Sequence, residues 1–511
     1  MTESDTGGHP RRWLILAILN LSLVLIVAGV SSLNLAIPSI QQALNATASE
    51  LVWINASYSL VFAGLLLPAG ALGDRYGRRG ALLVGLGIFV ASALLATLAD
   101  DPTQLILLRG IMGVGAAFTM PATLSIITVV FPPDERAKAI AIWSGFAGAG
   151  GAIGILASGL LLKWFWWGSV FLVNVPIAVL AIVLVSMYVP TSKDEAERPL
   201  DPAGSLLSIA GLVALVYGLI QGPEFGWTHG VVIGSFVASV VFLYSWVRVE
   251  LAQRDPLLDP RLFRIPQFSM GSFAVTSAFL VMFGMFFILT QYLQFVLGYS
   301  PLEAAVRTLP FALTMVVVAP NGPQVAARIG RGRTIASGMA IAAVGCAWLA
   351  LLQADTGYAL IAPAIIVMAA GMALAFPAAT ESIVSSLPQS KAGVASAMND
   401  TTREVGGAIG IALLGTLLSS GYRRGLGGAV DGLPPEAAEA AEDNIGAALA
   451  IAAEVPGGEA LADAARQAFV DGMRLSMLVG AAVMAVAAGL VSYYFPSDNK
   501  AEEAEEVYRV V

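Results

Sequence analysis

Four polar residues stand together in an otherwise apolar stretch, MNDTTREVGGAIG, in the C-terminal half of the chain: Asn399, Asp400, Arg403 and Glu404. Offsets of three and four residues place Asp400 beside both Arg403 and Glu404 on one face of a helix. Two carboxylates this close in apolar surroundings cannot both ionise at low cost, so one can take up a proton while Arg403 balances the other. The chemistry that this spacing predicts is reversible proton binding.

The depth of the cluster bears on its role. At about 1.5 Å per residue, Glu404 lies roughly 15 Å along a helix that begins near Val394, about halfway through a hydrocarbon core. Ionisable groups at that depth are costly and therefore point to function. The alternative is a structural charge cluster that faces a water-filled vestibule, because an adjacent arginine can also hold both acids ionised. The sequence leaves both interpretations open.

The helices that must position these residues are visible as apolar segments. The chain has 511 residues, of which 57% are hydrophobic and 12% charged, and this composition is too apolar for a soluble protein. Fourteen segments reach the roughly 20 apolar residues that span a bilayer. Arginine and lysine are concentrated in alternate loops, which predicts that both termini are cytoplasmic. No basic patch points to nucleic acid. The sequence predicts an all-α integral membrane protein.

An internal repeat suggests how the helices are grouped. The hexapeptide GGAIGI occurs at 150–155 and again at 406–411, in the fifth and thirteenth predicted helices. Repeats of this kind are typical of transporters built from two parallel halves, so we expect six helices, two inserted helices and six more. The predicted domains are a first bundle (1–189), a connection with two inserted helices (190–250), a second bundle (251–496) that includes an outer segment (421–472), and an acidic cytoplasmic tail (497–511).

The loop between the second and third predicted helices (70–82) combines one acid with three arginines. Cationic loops stay on the cytoplasmic side, and glycines permit close backbone approach. We expect Asp74 and Arg75 to hold a neighbouring helix end, as a latch for the inner gate, although a plain positively charged anchor is the alternative. The residues that carry this pattern are Gly70, Asp74, Arg75, Gly77, Arg78 and Arg79.

Small residues line the fifth predicted helix. Gly150, Gly154 and Gly159 give it a face that another helix can approach closely, which would seat it against its neighbour across a central cavity and let it rock. The outer segment 421–472 is rich in alanine and glutamate and is interrupted by prolines. It is expected to form short helices over the outer surface, or to be disordered.

Other ionisable residues are interpreted more simply. Arg109 lies a few residues inside the outer boundary, where its side chain could snorkel to water. Glu303 and Arg307 are spaced as an interfacial pair, and Glu381 is expected to be solvated. The single cysteine, Cys346, excludes an intramolecular disulfide and a cysteine-based metal cluster. Neither a P-loop nor a GxSxG or HExxH motif occurs, so the sequence indicates a transporter without a cofactor rather than an enzyme.

Together these features resemble the fourteen-helix drug:proton antiporter branch of the major facilitator superfamily. The loop 70–82 is similar to the superfamily's latch motif, in which an acid and arginines hold helix ends together in the outward-open state. LILLRGIMGVGAA, around Arg109, resembles the fourth-helix motif whose arginine takes part in proton coupling. The other stretches that carry the resemblance are FLVNVPIA (171–178), DPLLDPRLF (255–263) and NDTTREVGGAIG (399–410).

The resemblance implies two six-helix bundles around a central cavity, in a monomer of the bacterial cytoplasmic membrane, and export of hydrophobic or cationic compounds in exchange for protons. Asp400 and Glu404 would exchange the proton, and Arg403 and Arg109 would tune it. The chain departs from the family pattern at three positions. Gly29 and Ala56 stand where cation exporters carry acids, which argues against dications as preferred substrates, and Ile155 replaces the proline of the antiporter motif.

Two further functions fit the sequence. The chain could be a dedicated exporter of one endogenous metabolite or lipid, without proton coupling. From another class, it could be a membrane sensor or scaffold that binds a partner through its outer segment, 421–472. Deletion of that segment separates this last function from transport, because an exporter should retain its activity.

Overall fold

A computed structural model of the chain describes residues 8–46, 48–193, 201–253, 256–431, 433–455 and 458–496. Every regular element in these ranges is a helix. Fourteen of the helices are long and apolar enough to cross a membrane, which confirms the predicted number. They are α1 (Arg12–Ser31), α2 (Glu50–Tyr76), α3 (Arg78–Ala96), α4 (Pro102–Val130), α5 (Pro133–Trp164), α6 (Ser169–Tyr188), α7 (Pro202–Pro223), α8 (Gly230–Ala252), α9 (Pro266–Val296), α10 (Pro301–Ile329), α11 (Arg331–Leu349), α12 (Tyr358–Ser385), α13 (Gln389–Val430) and α14 (Glu459–Tyr494).

Several of these helices begin at an Asp-Pro pair. The Asp101 side chain accepts a hydrogen bond from the backbone N–H of Thr103 at 2.6 Å, and Pro102 is the first residue of α4. Asp201 plays the same part at the start of α7, where it accepts from the backbone N–H of Gly204 at 2.8 Å. An acceptor at the cap followed by proline satisfies the free N–H groups of the first turn. The sequence therefore sets these helix starts locally.

The helices form two bundles with the inserted pair at one side. Helices α1 to α6 pack on one another, as do α9 to α14. The bundles meet where α2 and α4 pack on α13, and where α5 packs on α10 and α12. Helix α7 lies on both α2 and α13, so the inserted pair covers the seam between the bundles on that side. At Gly64 of α2, a Cβ atom would lie 2.7 Å from Cγ2 of Val213, so the two helices are in close contact.

The glycines of the GGAIGI repeat pack against a helix of their own bundle in both halves of the chain. We had expected those of α5 to pack against a helix across the cavity. A Cβ on Gly150 would lie 2.9 Å from Val27, and one on Gly154 would lie 2.7 Å from Cα of Ala28, so both residues seat α5 on α1 of its own bundle. Gly410 packs on Leu280, which seats α13 on α9 in the second bundle. Other glycines of α5 do face the other bundle: a Cβ on Gly145 or Gly148 would lie 3.1 or 2.6 Å from Met315 of α10, and one on Gly159 would lie 3.3 Å from Leu302. Small residues specify close packing, but they do not specify the partner.

Gly154→Ala should destabilise the protein, because the added methyl group meets the backbone of α1 and the two helices must separate. Overpacking of this kind costs about 1–3 kcal/mol, which outweighs the gain of about 1 kcal/mol in helix propensity. The measurement is the thermal unfolding midpoint of the purified, detergent-solubilised chain. Gly87→Ala is the matched control, since no atom lies within 4 Å of a Cβ at that position, and it should be neutral or stabilising. Equal midpoints for the two variants would contradict the tight α1–α5 contact.

The connection between α2 and α3 is shorter than the predicted loop. Helix α2 continues to Tyr76 and α3 begins at Arg78, so Gly77 alone joins them. Gly77 has φ +115°, a conformation that residues with a side chain rarely adopt. We call the end of the molecule that contains Gly77 the latch end and the other the opposite end.

The outer segment 421–472 is largely helical. Helix α13 continues into it as far as Val430, and α14 begins at Glu459. Two short helices, Pro435–Asp443 and Ile445–Glu454, lie between them. The hydroxyl of Tyr422 donates to the carbonyl of Ala441 at 2.9 Å, which ties the first short helix to α13. The tail 497–511 and most of the connection between α6 and α7 lie outside the described residues.

Candidate proton site and latch

The predicted cluster on α13 is buried where the two bundles meet. Asp400 Oδ1 lies 3.2 Å from Arg403 Nη1, and the two side chains are 0% and 5% exposed. Asn399 Nδ2 lies 3.4 Å from the same carboxylate oxygen, and Thr380 of α12 donates to Asn399 Oδ1 at 3.0 Å. Asp400 Oδ2 has no hydrogen-bond partner within the described part of the chain. One oxygen of this carboxylate is thus held and the other is open to a proton.

The guanidinium of Arg403 lies among aromatic rings from both bundles. Its Cζ atom is 4.6 Å from the ring centre of Phe279 on α9, 5.5 Å from that of Phe376 on α12 and 5.6 Å from that of Trp143 on α5. Trp143 is itself fixed by a hydrogen bond from Nε1 to Thr123 Oγ1 at 3.1 Å. Cation–π attraction compensates part of the cost of burying a guanidinium. The aromatic cage of Trp143, Phe279 and Phe376 therefore holds the charge of Arg403 between the bundles.

Glu404 differs from Asp400 in its surroundings. It is partly exposed, whereas Asp400 and Arg403 are buried. Its carboxylate interacts electrostatically with Arg403 and Asp400, and also with Tyr58 of α2. Within the described residues, the ion pair of Arg403 is with Asp400. Glu404 is accordingly the least buried member of the cluster.

Arg109 does not snorkel to the surface. Its side chain is completely buried, Nε donates to the carbonyl of Ile54 at 3.1 Å, and the guanidinium lies 4.5 Å from the ring centre of Tyr58. Both terminal nitrogens lack a hydrogen-bond partner in the parts of the chain that the structure describes. Because Tyr58 interacts with Glu404 as well, Arg109 and the α13 cluster belong to one polar region.

A contact between the two bundles, here called the latch, joins them at the latch end. The carboxylate of Asp74, at the end of α2, accepts hydrogen bonds from the backbone N–H of Gly393 at 2.8 and 2.9 Å and from that of Val394 at 3.2 Å. These N–H groups are in the first turn of the long α-helix of α13, whose own cap residue, Lys391, makes no side-chain cap. A carboxylate at a helix N-terminus is favoured by the helix dipole and satisfies free N–H groups. Asp74 of one bundle thus caps a helix of the other.

The arginine that pairs with Asp74 in the latch is Arg78. Arg78 Nε donates to Asp74 Oδ1 at 2.9 Å, and Nη2 donates to the carbonyls of Gln389 at 2.8 Å and Ser390 at 3.3 Å. The one-residue turn at Gly77 allows Arg78, the first residue of α3, to lie beside Asp74 near the end of α2. Arg75 instead lies over the ring of Tyr76 at 5.5 Å.

The other motif positions support this contact. Arg79 donates to the carbonyl of Ser186 in α6. A Cβ on Gly70 would lie 2.5 Å from the carbonyl oxygen of Gly393, so only glycine allows α2 and α13 to approach this closely. The latch comprises Gly70, Asp74, Arg78 and the start of α13.

Two simpler expectations, for Glu381 and for the Glu303–Arg307 pair, were incomplete. Glu381 is not merely solvated, because it lies 3.5 Å from Arg331. Glu303 forms a capping box with Ser300, while the guanidinium of Arg307 stacks 3.8 Å from the ring centre of Tyr299.

Sequence analysis also missed part of the site. Phe279, Phe376 and Thr380 were not singled out, since nothing in their spacing relates them to Arg403. The signal that existed was an unusual group of polar residues in α13, which requires partners on neighbouring helices.

Comparison with known proteins agrees with this geometry. Residues 19–411 match the sequence profile of the Major Facilitator Superfamily. The multidrug efflux pump LfrA of Mycolicibacterium smegmatis is 34% identical, over 97% of this chain and 98% of its own length. The tetracenomycin C resistance and export protein of Streptomyces glaucescens is 32% identical over 98% of this chain and 95% of its own. The methyl viologen resistance protein SmvA of Salmonella typhimurium is also 32% identical, over 90% of this chain and 93% of its own.

Solved structures show the same fold. The human organic anion transporter MFSD10 superposes with a TM-score of 0.64 at 12% identity, covering 94% of this chain and 100% of that one. The proton:xylose symporter XylE superposes with a TM-score of 0.59 at 14% identity, covering 95% and 96%. The profile match, the full-length relatives, the fold and the latch agree: the chain is a multi-pass membrane protein that belongs to the Major Facilitator Superfamily.

Proposed function

We propose that this chain is a secondary exporter, not an enzyme, which moves lipophilic or cationic small molecules across the bacterial cytoplasmic membrane by alternating access, in exchange for protons. The latch end carries Arg12, Arg78, Arg79 and Arg331. Such cationic ends stay in the cytoplasm. We therefore orient the molecule with the latch end and both termini inside, so that the closed latch corresponds to a state shut toward the cytoplasm.

The observation that carries the proposal is the Asp400–Arg403 pair and its neighbour Glu404 at the junction of the bundles. One guanidinium can neutralise one carboxylate, so the second favours a proton or another cation. Asp400 lies six residues beyond Val394 in the latch, about 9 Å along α13. A proton bound here therefore changes the charge of a helix whose end forms the gate.

Exchange follows from competition at this cluster. A cationic substrate needs a carboxylate and aromatic faces, and these are the groups that surround Arg403. A proton on Glu404 removes the negative charge that would attract the cation. Binding of the proton and of the cation is then mutually unfavourable, which is the thermodynamic requirement for exchange.

The relatives support the substrate class. The names of two of them state efflux of multiple drugs and resistance to methyl viologen. Others are named for export of a single compound, such as cephamycin, so a dedicated exporter of one metabolite is the second candidate. The absent acids at Gly29 and Ala56 favour monocations over dications for this chain.

The test uses purified full-length protein in proteoliposomes with an imposed pH gradient. A lipophilic monocationic dye should be expelled against its concentration gradient when the side that receives it is acidic, and transport should stop when an ionophore collapses the gradient. Methyl viologen, a dication, should be moved more slowly. Transport that does not depend on the pH gradient would contradict proton exchange. If neither probe is transported, a dedicated exporter of another compound is favoured.

A further inference from the structure

A second pair of acids lies outside the central site, at the latch end of the two inserted helices. Asp201 caps α7, and its Oδ1 atom accepts from the backbone N–H of Gly204 at 2.8 Å and from Nε2 of Gln253 at 2.9 Å. Glu250 is near the end of α8 and is 1% exposed. Asp201 Oδ2 and both carboxylate oxygens of Glu250 lack a well-formed hydrogen bond in the described part of the chain.

The two carboxyl groups face each other. Asp201 Oδ2 and Glu250 Oε1 crowd the same side of Gly204, where a Cβ atom would collide with both oxygens, so the two carboxyl groups lie close together. The indole of Trp246 and the backbone N–H of Leu257 face Glu250 from the same helix and from the segment that follows it. The indole nitrogen also lacks a well-formed hydrogen bond within the described ranges.

Within the described residues, the charged groups on the neighbouring elements do not balance this pair. Of the charged side chains that the structure describes, Asp201 is the one that interacts with Glu250. On the turn that packs against α8, Arg261 lies 3.9 Å from Asp259.

Two other helices pack on α7, and their charges near the bundle junction are engaged elsewhere. Asp74 of α2 bonds to Arg78, and Asp400 of α13 bonds to Arg403. Two ionised carboxylates in contact and out of water repel each other strongly, so one of them must bind a cation or a proton.

We propose that Asp201 and Glu250 form a second proton-binding site, in which Glu250 carries the proton and donates it to Asp201 Oδ2, and that this proton holds the base of the inserted helices together. The site is independent of whether the α13 cluster carries the transported proton.

The segments that flank the Asp201–Glu250 pair are hydrogen-bonded to the latch. The chain enters the inserted pair past Ser192, whose carbonyl accepts from the backbone N–H of Arg78 at 3.0 Å. It leaves past Pro256, whose carbonyl accepts from Lys391 Nζ at 3.2 Å. Both connections are therefore bonded to residues that form or flank the latch. Loss of the shared proton would push the bases of α7 and α8 apart, and this movement would loosen both bonds.

The first test is the pH dependence of thermal unfolding of the purified full-length chain, between about pH 5.5 and about pH 8.5. The unfolded chain has already released this proton below the range, whereas the folded chain still holds it at the acid end, so stability falls as pH rises until the folded chain releases it too. Glu250→Gln has no proton to lose, and its midpoint should fall less than that of the native chain, by about 2–4 °C. Asp201→Asn should behave in the same way, because the substituted amide can donate to Glu250. Glu454→Gln, at an exposed acid of the opposite end, should leave the pH dependence unchanged.

A second measurement follows the latch itself. Spin labels at Tyr76→Cys and Ile329→Cys, in a Cys346→Ala background, report the separation of the bundles at the latch end, where both sites are exposed. Raising the pH should broaden the distances toward larger values, and Glu250→Gln should reduce that change. An equal response in native and Glu250→Gln chains, in both measurements, would overturn the proposal.

A cation in place of the proton would also overturn it. Stabilisation of the native chain by sodium or calcium ions at constant pH, absent in Glu250→Gln, would assign the site to that ion. Loss of the pH dependence in Arg254→Gln would assign the balancing charge to that arginine. We expect neither salt nor Arg254→Gln to change the difference between the native chain and Glu250→Gln.

Discussion

Asp400→Asn and Glu404→Gln should each abolish dye export that is driven by a pH gradient, reducing it to the rate seen when the gradient is collapsed. The reason is charge balance at Arg403, which pairs with Asp400 at 3.2 Å and interacts electrostatically with Glu404. Each substitution leaves one carboxylate beside one guanidinium, which is a neutral pair with no need for a proton. The cycle then loses the step in which a proton displaces a cation.

The two variants should differ in their side effects. Asp400→Asn removes the ion-pair partner of a buried guanidinium, and an uncompensated buried charge costs about 3–5 kcal/mol. Arg403 retains its aromatic cage and Glu404, so we expect reduced thermal stability rather than complete unfolding. Glu404→Gln leaves the Asp400–Arg403 pair intact and should be nearly as stable as the native chain. A loss of driven transport in Glu404→Gln therefore cannot be attributed to misfolding.

Exchange of labelled for unlabelled dye at equal pH on both sides distinguishes coupling from substrate binding. Exchange needs the substrate-bound conformational change but no net movement of protons, so Asp400→Asn should retain it in part. Glu459→Gln, at an exposed acid on α14, is the control and should match the native chain in both assays. Driven export at the native rate in both acid variants would show that the cluster is structural, as in the vestibule interpretation.

The sequence predicted what depends on local geometry. The number of spanning helices follows from apolar length, and the Asp400–Arg403 pair follows from three-residue spacing on a helix. The latch was predicted from the sequence only in part. Asp74 holds the start of α13 as expected, but the sequence suggested a loop where the structure has Gly77 alone, so the pairing of Arg78 with Asp74 was not foreseen.

Contacts between segments that are distant in the sequence could not be predicted in this way. The cage around Arg403 takes one ring from each of three helices, and no single-sequence pattern relates Trp143 to Phe279 or Phe376. The glycines of α5 predicted close approach, but the partner is α1 for Gly154 and α10 for Gly159. Periodicity identifies a face of a helix, whereas the fold decides what covers it.

Asp74→Ala should open the latch end and strongly reduce export. The carboxylate, whose side chain is 7% exposed, bonds to Arg78 and to two backbone N–H groups of α13. Its removal leaves a buried arginine without its ion-pair partner and a helix start without a cap. Breaking a buried pair costs about 3–5 kcal/mol. Since about 1.4 kcal/mol corresponds to a tenfold change in an equilibrium, the state that is open at the latch end should gain more than about a hundredfold in population relative to the closed state.

The spin-label pair Tyr76→Cys and Ile329→Cys measures this shift directly as a longer distance between the bundles. Asp74→Asn should have an intermediate effect, because an amide oxygen can still accept a backbone hydrogen bond but provides no negative charge for Arg78 and the helix dipole. Asp134→Ala is the matched control, since Asp134 is an exposed acid in the first turn of α5 at the same end. If the Asp74→Ala protein is inactive but keeps the native distances, Asp74 does not act on the gate and must have another role. Longer distances together with retained substrate exchange would show that the latch sets the balance between the two conformations, because only the population of the closed state has then changed.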